Sequence, residues 1–166
     1  MSKSKKFNLK PIPHDIIKAG EISRKFLKSL GLSDSIIQDQ ILVIQELIRN
    51  GINCGKCKST EYEIFVQLQV SESTITIEVK NPVDETCFQR IAEFDKTIQF
   101  IRGYQDPFEA YQIMQKYAAN RTNVGVIDGL ALSRIAYKGK AILDFYVGED
   151  NMLNQSASRS IPKTPN

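Results

Sequence analysis

Apolar residues recur along this chain at two different periods, and the switch between them marks out its elements. From Asp15 to Leu30 the set Ile16, Ala19, Ile22, Phe26 and Leu30 repeats at helical spacing, with Gly31 following as a stop. Ser33 is a good N-cap, backed by Asp34, for a second helix that runs to about Asn53 and ends near Gly55, with Ile37, Ile41, Ile44, Ile48 and Ile52 as its stripe. The period then drops to two. Tyr62 to Val70 alternates through Ile64, Val66 and Leu68, and Thr74 to Val79 through Ile75, Ile77 and Val79, with Ser71 to Ser73 as the hairpin turn between them. Asn81-Pro82 ends that strand. Phe88 to Ile101 and Pro107 to Ala119 return to helical spacing, the second with Pro107 in the first turn, where its missing N–H costs nothing. A polar loop over Asn120 to Gly125, a helix over Ile127 to Tyr137 and a last strand over Ala141 to Val147 complete the pattern.

The ends differ from the middle. Residues 1–12 are basic and polar, with Phe7 and Leu9 spaced as in a short edge strand, and Pro11 and Pro13 impose an extended entry to the first helix. Residues 149–166 are rich in Ser, Asn, Pro and Lys and predict a disordered tail. Between them the order of elements predicts one α/β domain over 13–148. Its fold class is an α+β two-layer sandwich with a mixed, mostly antiparallel sheet, helices on one face and a helical insertion over about 85–125.

Composition narrows the class without choosing a function. In a chain of 166 residues, 42% hydrophobic and 25% charged residues are ordinary for one globular domain. A net charge of +3 owes much to Lys3, Lys5, Lys6 and Lys10, too little to predict a nucleic-acid partner. No apolar run approaches the roughly 20 residues of a membrane-spanning helix, and the basic start lacks the apolar core of a signal peptide, so a cytoplasmic location is expected.

The second helix carries the candidate chemistry. Glu46, Asn50 and Asn53 share a face at i, i+4 and i+7, flanked by Leu42, Val43 and Leu47, while Gln38, Gln45 and Arg49 form a separate polar stripe. Glu46 and Asn50 are therefore set into a partly apolar surface, where polar groups are costly unless paired or used.

The run Glu46-Leu-Ile-Arg-Asn50-Gly-Ile-Asn-Cys54-Gly55 resembles the first signature of the GHKL, or Bergerat-fold, ATPases in the version carried by anti-sigma factor serine kinases, with Cys54 in the place of a His. The resemblance implies Asn50 as the Mg²⁺ ligand against ATP phosphates and Glu46 as the base for phosphoryl transfer, with Asn53 on the same nucleotide face. The second signature, a strand-ending Asp with a Gly two residues on, corresponds to Asn81 and Val83, so Asn81 becomes the adenine contact. The glycine-rich third signature corresponds to Gly125-Val-Ile-Asp-Gly129-Leu130-Ala131-Leu132, which implies Gly125, Gly129 and Leu130 around the phosphates, with Ala131 for one Gly. The insertion stands in the place of the family's ATP lid and is similar to that of the SiaB-like branch of bacterial regulatory kinases.

Two functions remain open on these residues. One is a regulatory Ser/Thr protein kinase using ATP and Mg²⁺, with a STAS-domain antagonist or a sigma factor as partner and a homodimer as a common state of similar proteins. The other is a pseudo-kinase that binds a protein without turning over ATP, favoured by the residues at 81, 83 and 131. Other constellations carry less. Cys54-Gly-Lys-Cys57 has zinc-like spacing, but only Cys87 and His14 could complete a site, so reduced thiols are the better reading. His14-Asp15 is too close to Glu46 for a phosphoacceptor on a separate domain. Phe100, Tyr104, Phe108, Tyr111 and Tyr117 read as packing of the inserted helices rather than base stacking. No Ser-His-Asp, HExxH or Walker-type motif is present.

Overall fold

The computed structural model describes residues 1–55, 61–120 and 129–162. Its elements are β1 (Lys3–Leu9), α1 (Pro13–Ser29), α2 (Asp34–Cys54), β2 (Ile64–Val70), β3 (Thr74–Pro82), α3 (Phe88–Arg102), α4 (Pro107–Ala119), α5 (Gly129–Tyr137), β4 (Ile142–Val147) and β5 (Met152–Ser160). The strands form one sheet in the order β1-β2-β3-β5-β4. The two-layer sandwich expected from the sequence is what forms, with the alternating faces deciding its layers. Ile64, Val66 and Leu68 of β2 and Ile75, Ile77 and Val79 of β3 are buried on the inner side against the stripe Ile37, Ile41, Ile44 and Ile48 of α2. Gln67, Gln69, Thr76 and Glu78 lie on the outer side.

Local chemistry sets the element ends. Ser33 accepts the Ile36 N–H at 3.5 Å to open α2, and Asp106 accepts the Phe108 N–H at 2.9 Å to open α4, with Pro107 in its first turn. Gly31 takes a φ of +75° after α1, the left-handed conformation that glycine adopts without a Cβ clash. Asp106→Ala should lower stability by about 1 kcal/mol, read as a shift of the urea midpoint at unchanged slope.

Three expectations need correction. Of the tail expected over 149–166, the described residues 149–162 are ordered into the fold: Met152–Ser160 is β5, placed between β3 and β4 inside the sheet. The reason it escapes a hydrophobicity reading is that only Leu153 and Ala157 are apolar on its inward face, the alternate inward positions being Gln155 and Arg159. Their polar ends are met by α2, since Gln155 Nε2 donates to the Leu47 carbonyl at 3.2 Å and Arg159 Nη1 to Asp39 Oδ2 at 2.6 Å. Second, the sheet is not mixed, because every pairing among the described strands is antiparallel. The β4–β5 hairpin turns at Gly148 to Asn151, with Asn151 at φ +55°, and brings β5 back beside β3. Third, β3 extends beyond the alternating stretch that ends at Val79: it ends at Asn81-Pro82 as expected, but both residues are still in the ladder, paired with Leu153 and Met152.

The two helices expected from Phe88 to Ile101 and from Pro107 to Ala119 form as α3 and α4, which pack against α5. Phe100 and Tyr104 meet edge to face at 5.1 Å, and Phe108 and Tyr111 pack on Tyr137 at 4.9 and 5.3 Å, while Tyr117 is exposed. No helix among the described residues is long and apolar enough to cross a membrane.

Candidate functional site

The α2 helix is buried on two sides, because its isoleucine stripe meets the sheet while Val43, Leu47 and Cys54 are covered from another direction. Glu46 and Asn50 fall on that second side and are only 8% and 3% exposed. A carboxylate so placed must be paired. Glu46 Oε1 accepts from Arg49 Nη1 at 3.1 Å and from Arg134 Nη1, on α5, at 3.4 Å. Arg49 thus bends back one turn to Glu46 instead of continuing the outer polar stripe, whose other members go elsewhere: Gln38 Oε1 accepts from Arg24 and Gln45 packs on Gly20 of α1.

Asn50, one turn further along, leaves its Nδ2 without an acceptor among the described residues. Gly51 follows, and a Cβ there would stand 2.7 Å from Asn81 Oδ1 and 3.3 Å from Gln155 Nε2, so β3 and β5 press these side-chain amides onto the helix where glycine allows it. Asn81 is fully buried, with Oδ1 unpaired among the described residues and Nδ2 donating to the Pro82 carbonyl at 3.5 Å. Gln155 Oε1 is a second buried acceptor without a partner there. Two carbonyl oxygens in want of a donor and one amide in want of an acceptor therefore line the inner wall of α2.

Of the residues singled out in the sequence, Glu46, Asn50 and Asn81 gather along α2. Asn53 does not join them: its side chain is exposed in the last turn, and its backbone carbonyl accepts from Arg90 Nη1 at 2.7 Å. Gly129 opens α5 beneath the inserted helices, where a Cβ would meet Met114 Sδ at 2.8 Å, and Leu130 beside it is half-buried. Gly125 and Cys57 lie outside the described residues. Cys54 and Cys87 are buried thiols; Cys87 donates to the Gly55 carbonyl at 3.1 Å, and burial pushes its pKa up, which keeps it protonated. The residues that sequence reasoning missed are Arg134 and Gln155. Arg134 lies two residues past Leu132, where the third signature ends, and Gln155 was concealed in the segment taken for a tail.

Beyond Asn81 a cleft of about 710 Å³ opens between Pro82, Val83, Asp84, Glu85, Thr86, Phe88, Asp150 and Asn151. Its volume lies within the range of small-molecule sites. Its carboxylates at Asp84, Glu85 and Asp150 make this end of the site electronegative, whereas Arg49 and Arg134 make the Glu46 end electropositive.

No family model and no curated protein matches the chain. Among solved structures it is similar to a chain of the SiaB–SiaC complex from Pseudomonas aeruginosa, with a TM-score of 0.66 over 95% of this chain and 89% of that one, at 18% identity. The two chains share a fold. At that identity the likeness carries the arrangement of sheet and helices, and the chemistry rests on the residues described above.

Proposed function

We propose that this protein is a regulatory nucleotide-binding protein of the anti-sigma kinase type, which binds Mg-ATP along α2 and transfers a phosphoryl group to a serine or threonine of a protein partner. The observation that carries it is the set of buried groups on one wall of α2 that have no partner among the described residues: Asn50 Nδ2, Asn81 Oδ1 and, beside them, Gln155 Oε1. The residues fit the nucleotide. Asn81 offers an acceptor suited to the exocyclic amine of adenine, and the Asn50 amide oxygen is a hard ligand of the kind Mg²⁺ takes. The field runs the same way, since the acidic cleft beside Asn81 would repel a triphosphate and the arginines at Glu46 would attract it. Bound Mg-ATP would supply the phosphoryl group, and Glu46 would take the proton of the attacking hydroxyl. That the similar structure is of a SiaB–SiaC complex supports a protein as the partner, and the resemblance of the α2 motif to anti-sigma kinases supports one of STAS type.

The test is calorimetry and thermal unfolding with Mg-ATP. A ligand at 100 times its Kd should add about 2.7 kcal/mol of stability. Asn50→Ala should remove the Mg²⁺ dependence of binding and weaken it by about tenfold or more, as expected for a lost metal ligand. Absence of any effect at millimolar Mg-ATP would reject the reading.

One observation favours a second reading, a binding-only regulator of the same fold: Glu46 Oε1 is already taken by two guanidinium groups, which compete with a substrate hydroxyl for that oxygen. Protein that binds Mg-ATP but never consumes it in the presence of its partner would establish that reading instead.

A further inference from the structure

Around Glu46 the donors outnumber the acceptors. One oxygen, Oε1, receives both Arg49 and Arg134, and the Asn50 amide one turn on has no acceptor for Nδ2 among the described residues. The carboxylate and two guanidinium groups carry a net charge of +1, so an anion entering here would meet a net positive charge and free donors. The two arginines are not held equally. The Arg134 contact, at 3.4 Å, is well beyond the roughly 2.7–2.9 Å of a firm charge-assisted hydrogen bond, whereas the Arg159–Asp39 contact elsewhere in the fold is 2.6 Å. Arg134 is also mounted on a different body from Glu46. It sits on α5, whose ends are gripped by the inserted helices through Gly129 against Met114 and Tyr137 against Phe108 and Tyr111, while Arg49 and Glu46 share one helix.

We propose that Arg134 changes partner on nucleotide binding: it leaves Glu46 for the terminal phosphate, so that one residue both distinguishes a triphosphate from a diphosphate and releases Glu46 from half of its pairing. This rests on the nucleotide-binding reading above and adds Arg134, a positioning residue with respect to Glu46, to the site. Exchange is electrostatically even-handed, because the guanidinium trades one anionic oxygen for another, and its planar fork suits a phosphate better than the single oxygen it now shares with Arg49.

The experiment is calorimetric titration of the full chain with Mg-ATP and with Mg-ADP. Wild type should prefer ATP, and Arg134→Gln should weaken ATP by about tenfold, the usual size of one hydrogen bond to a charged group, while leaving ADP within about twofold. Arg134→Lys, which keeps the charge without the fork, should fall between the two. Glu46→Gln should tighten ATP several-fold by removing the competing carboxylate, and that gain should vanish in Glu46→Gln/Arg134→Gln, a coupling only a shared interaction produces. Equal losses for ATP and ADP in Arg134→Gln, or a Glu46→Gln gain that persists without Arg134, would overturn the exchange while leaving nucleotide binding standing. Wild type that binds neither nucleotide would remove the nucleotide reading itself and the exchange with it.

Discussion

Replacing Arg159 by alanine should lower the unfolding free energy by about 3 kcal/mol, whereas replacing it by methionine should cost less than about 1 kcal/mol. Arg159 is 5% exposed on the inward face of β5, in the middle of a sheet, and its one strong partner is Asp39 at 2.6 Å. The alanine variant loses both that pair and the volume of the arginine stem between β5 and α2. The methionine variant keeps the volume. Its loss of the ion pair is moderated from both sides, because Arg159 Nε has no acceptor among the described residues and Asp39, a quarter exposed, can turn to water. The desolvation of the guanidinium is therefore incompletely offset in the native state, the situation in which an apolar replacement comes out near neutral. Urea midpoints for the two variants decide it, and equal losses would show that the charge pair, not the packing, holds β5 against α2.

The same residue explains where sequence reasoning stops. The helices α3 and α4 are legible almost to the residue, and the strands β2 and β3 apart from the extension of β3 at Asn81, because the buried positions there are apolar and recur at 3.6 or 2 residues. The β5 strand follows the same rule of alternation through Leu153, Gln155, Ala157 and Arg159, but half of its buried positions are polar, and their partners lie 108 and 120 residues away in the chain. Only the fold makes those positions affordable, so no local window identifies them. The strand order depends on β5 as well. Without it β4 would be the natural neighbour of β3, and a mixed sheet would be a reasonable expectation.

The site divides in the same way. Glu46 and Asn50 could be picked out because polar residues stood among Leu42, Val43 and Leu47, and both are indeed buried. Asn53 satisfied the same helical spacing, yet it lies in the last turn of α2 with its side chain in solvent. Periodicity assigns a face but not how far along the helix that face is covered. Arg134 is 88 residues from Glu46, and nothing in its neighbourhood on α5 marks it as the counter-charge of a carboxylate on α2. Pairings of this kind belong to the packing of helices and follow from tertiary structure alone. Similarly, Gly51 becomes informative only when Asn81 and Gln155 are seen to press on it.

The helix contact that carries Arg134 can be disturbed without touching the site, and Gly139→Ala should do so at a cost of about 3 kcal/mol, the upper part of the range for overpacking. Gly139 follows α5 in the turn into β4, its N–H donating to the Arg134 carbonyl at 3.2 Å. A Cβ there would stand 2.4 Å from the Ile135 carbonyl oxygen and 2.4 Å from Val43 Cγ2. Neither neighbour yields easily. The first is backbone of α5 itself, and the second is a β-branched side chain, fully buried on α2 just three residues before Glu46. The strain is relieved by moving the end of α5 away from α2, which carries Arg134 away from the nucleotide site along that helix, so Gly139→Ala should shift the ATP preference toward that of Arg134→Gln as well as lower the urea midpoint. Adding Val43→Ala removes one of the two collisions and leaves the carbonyl, so the double variant should lose less than the sum of the two single losses, without returning to wild type. Strict additivity would mean that α5 does not pack on α2 through Gly139.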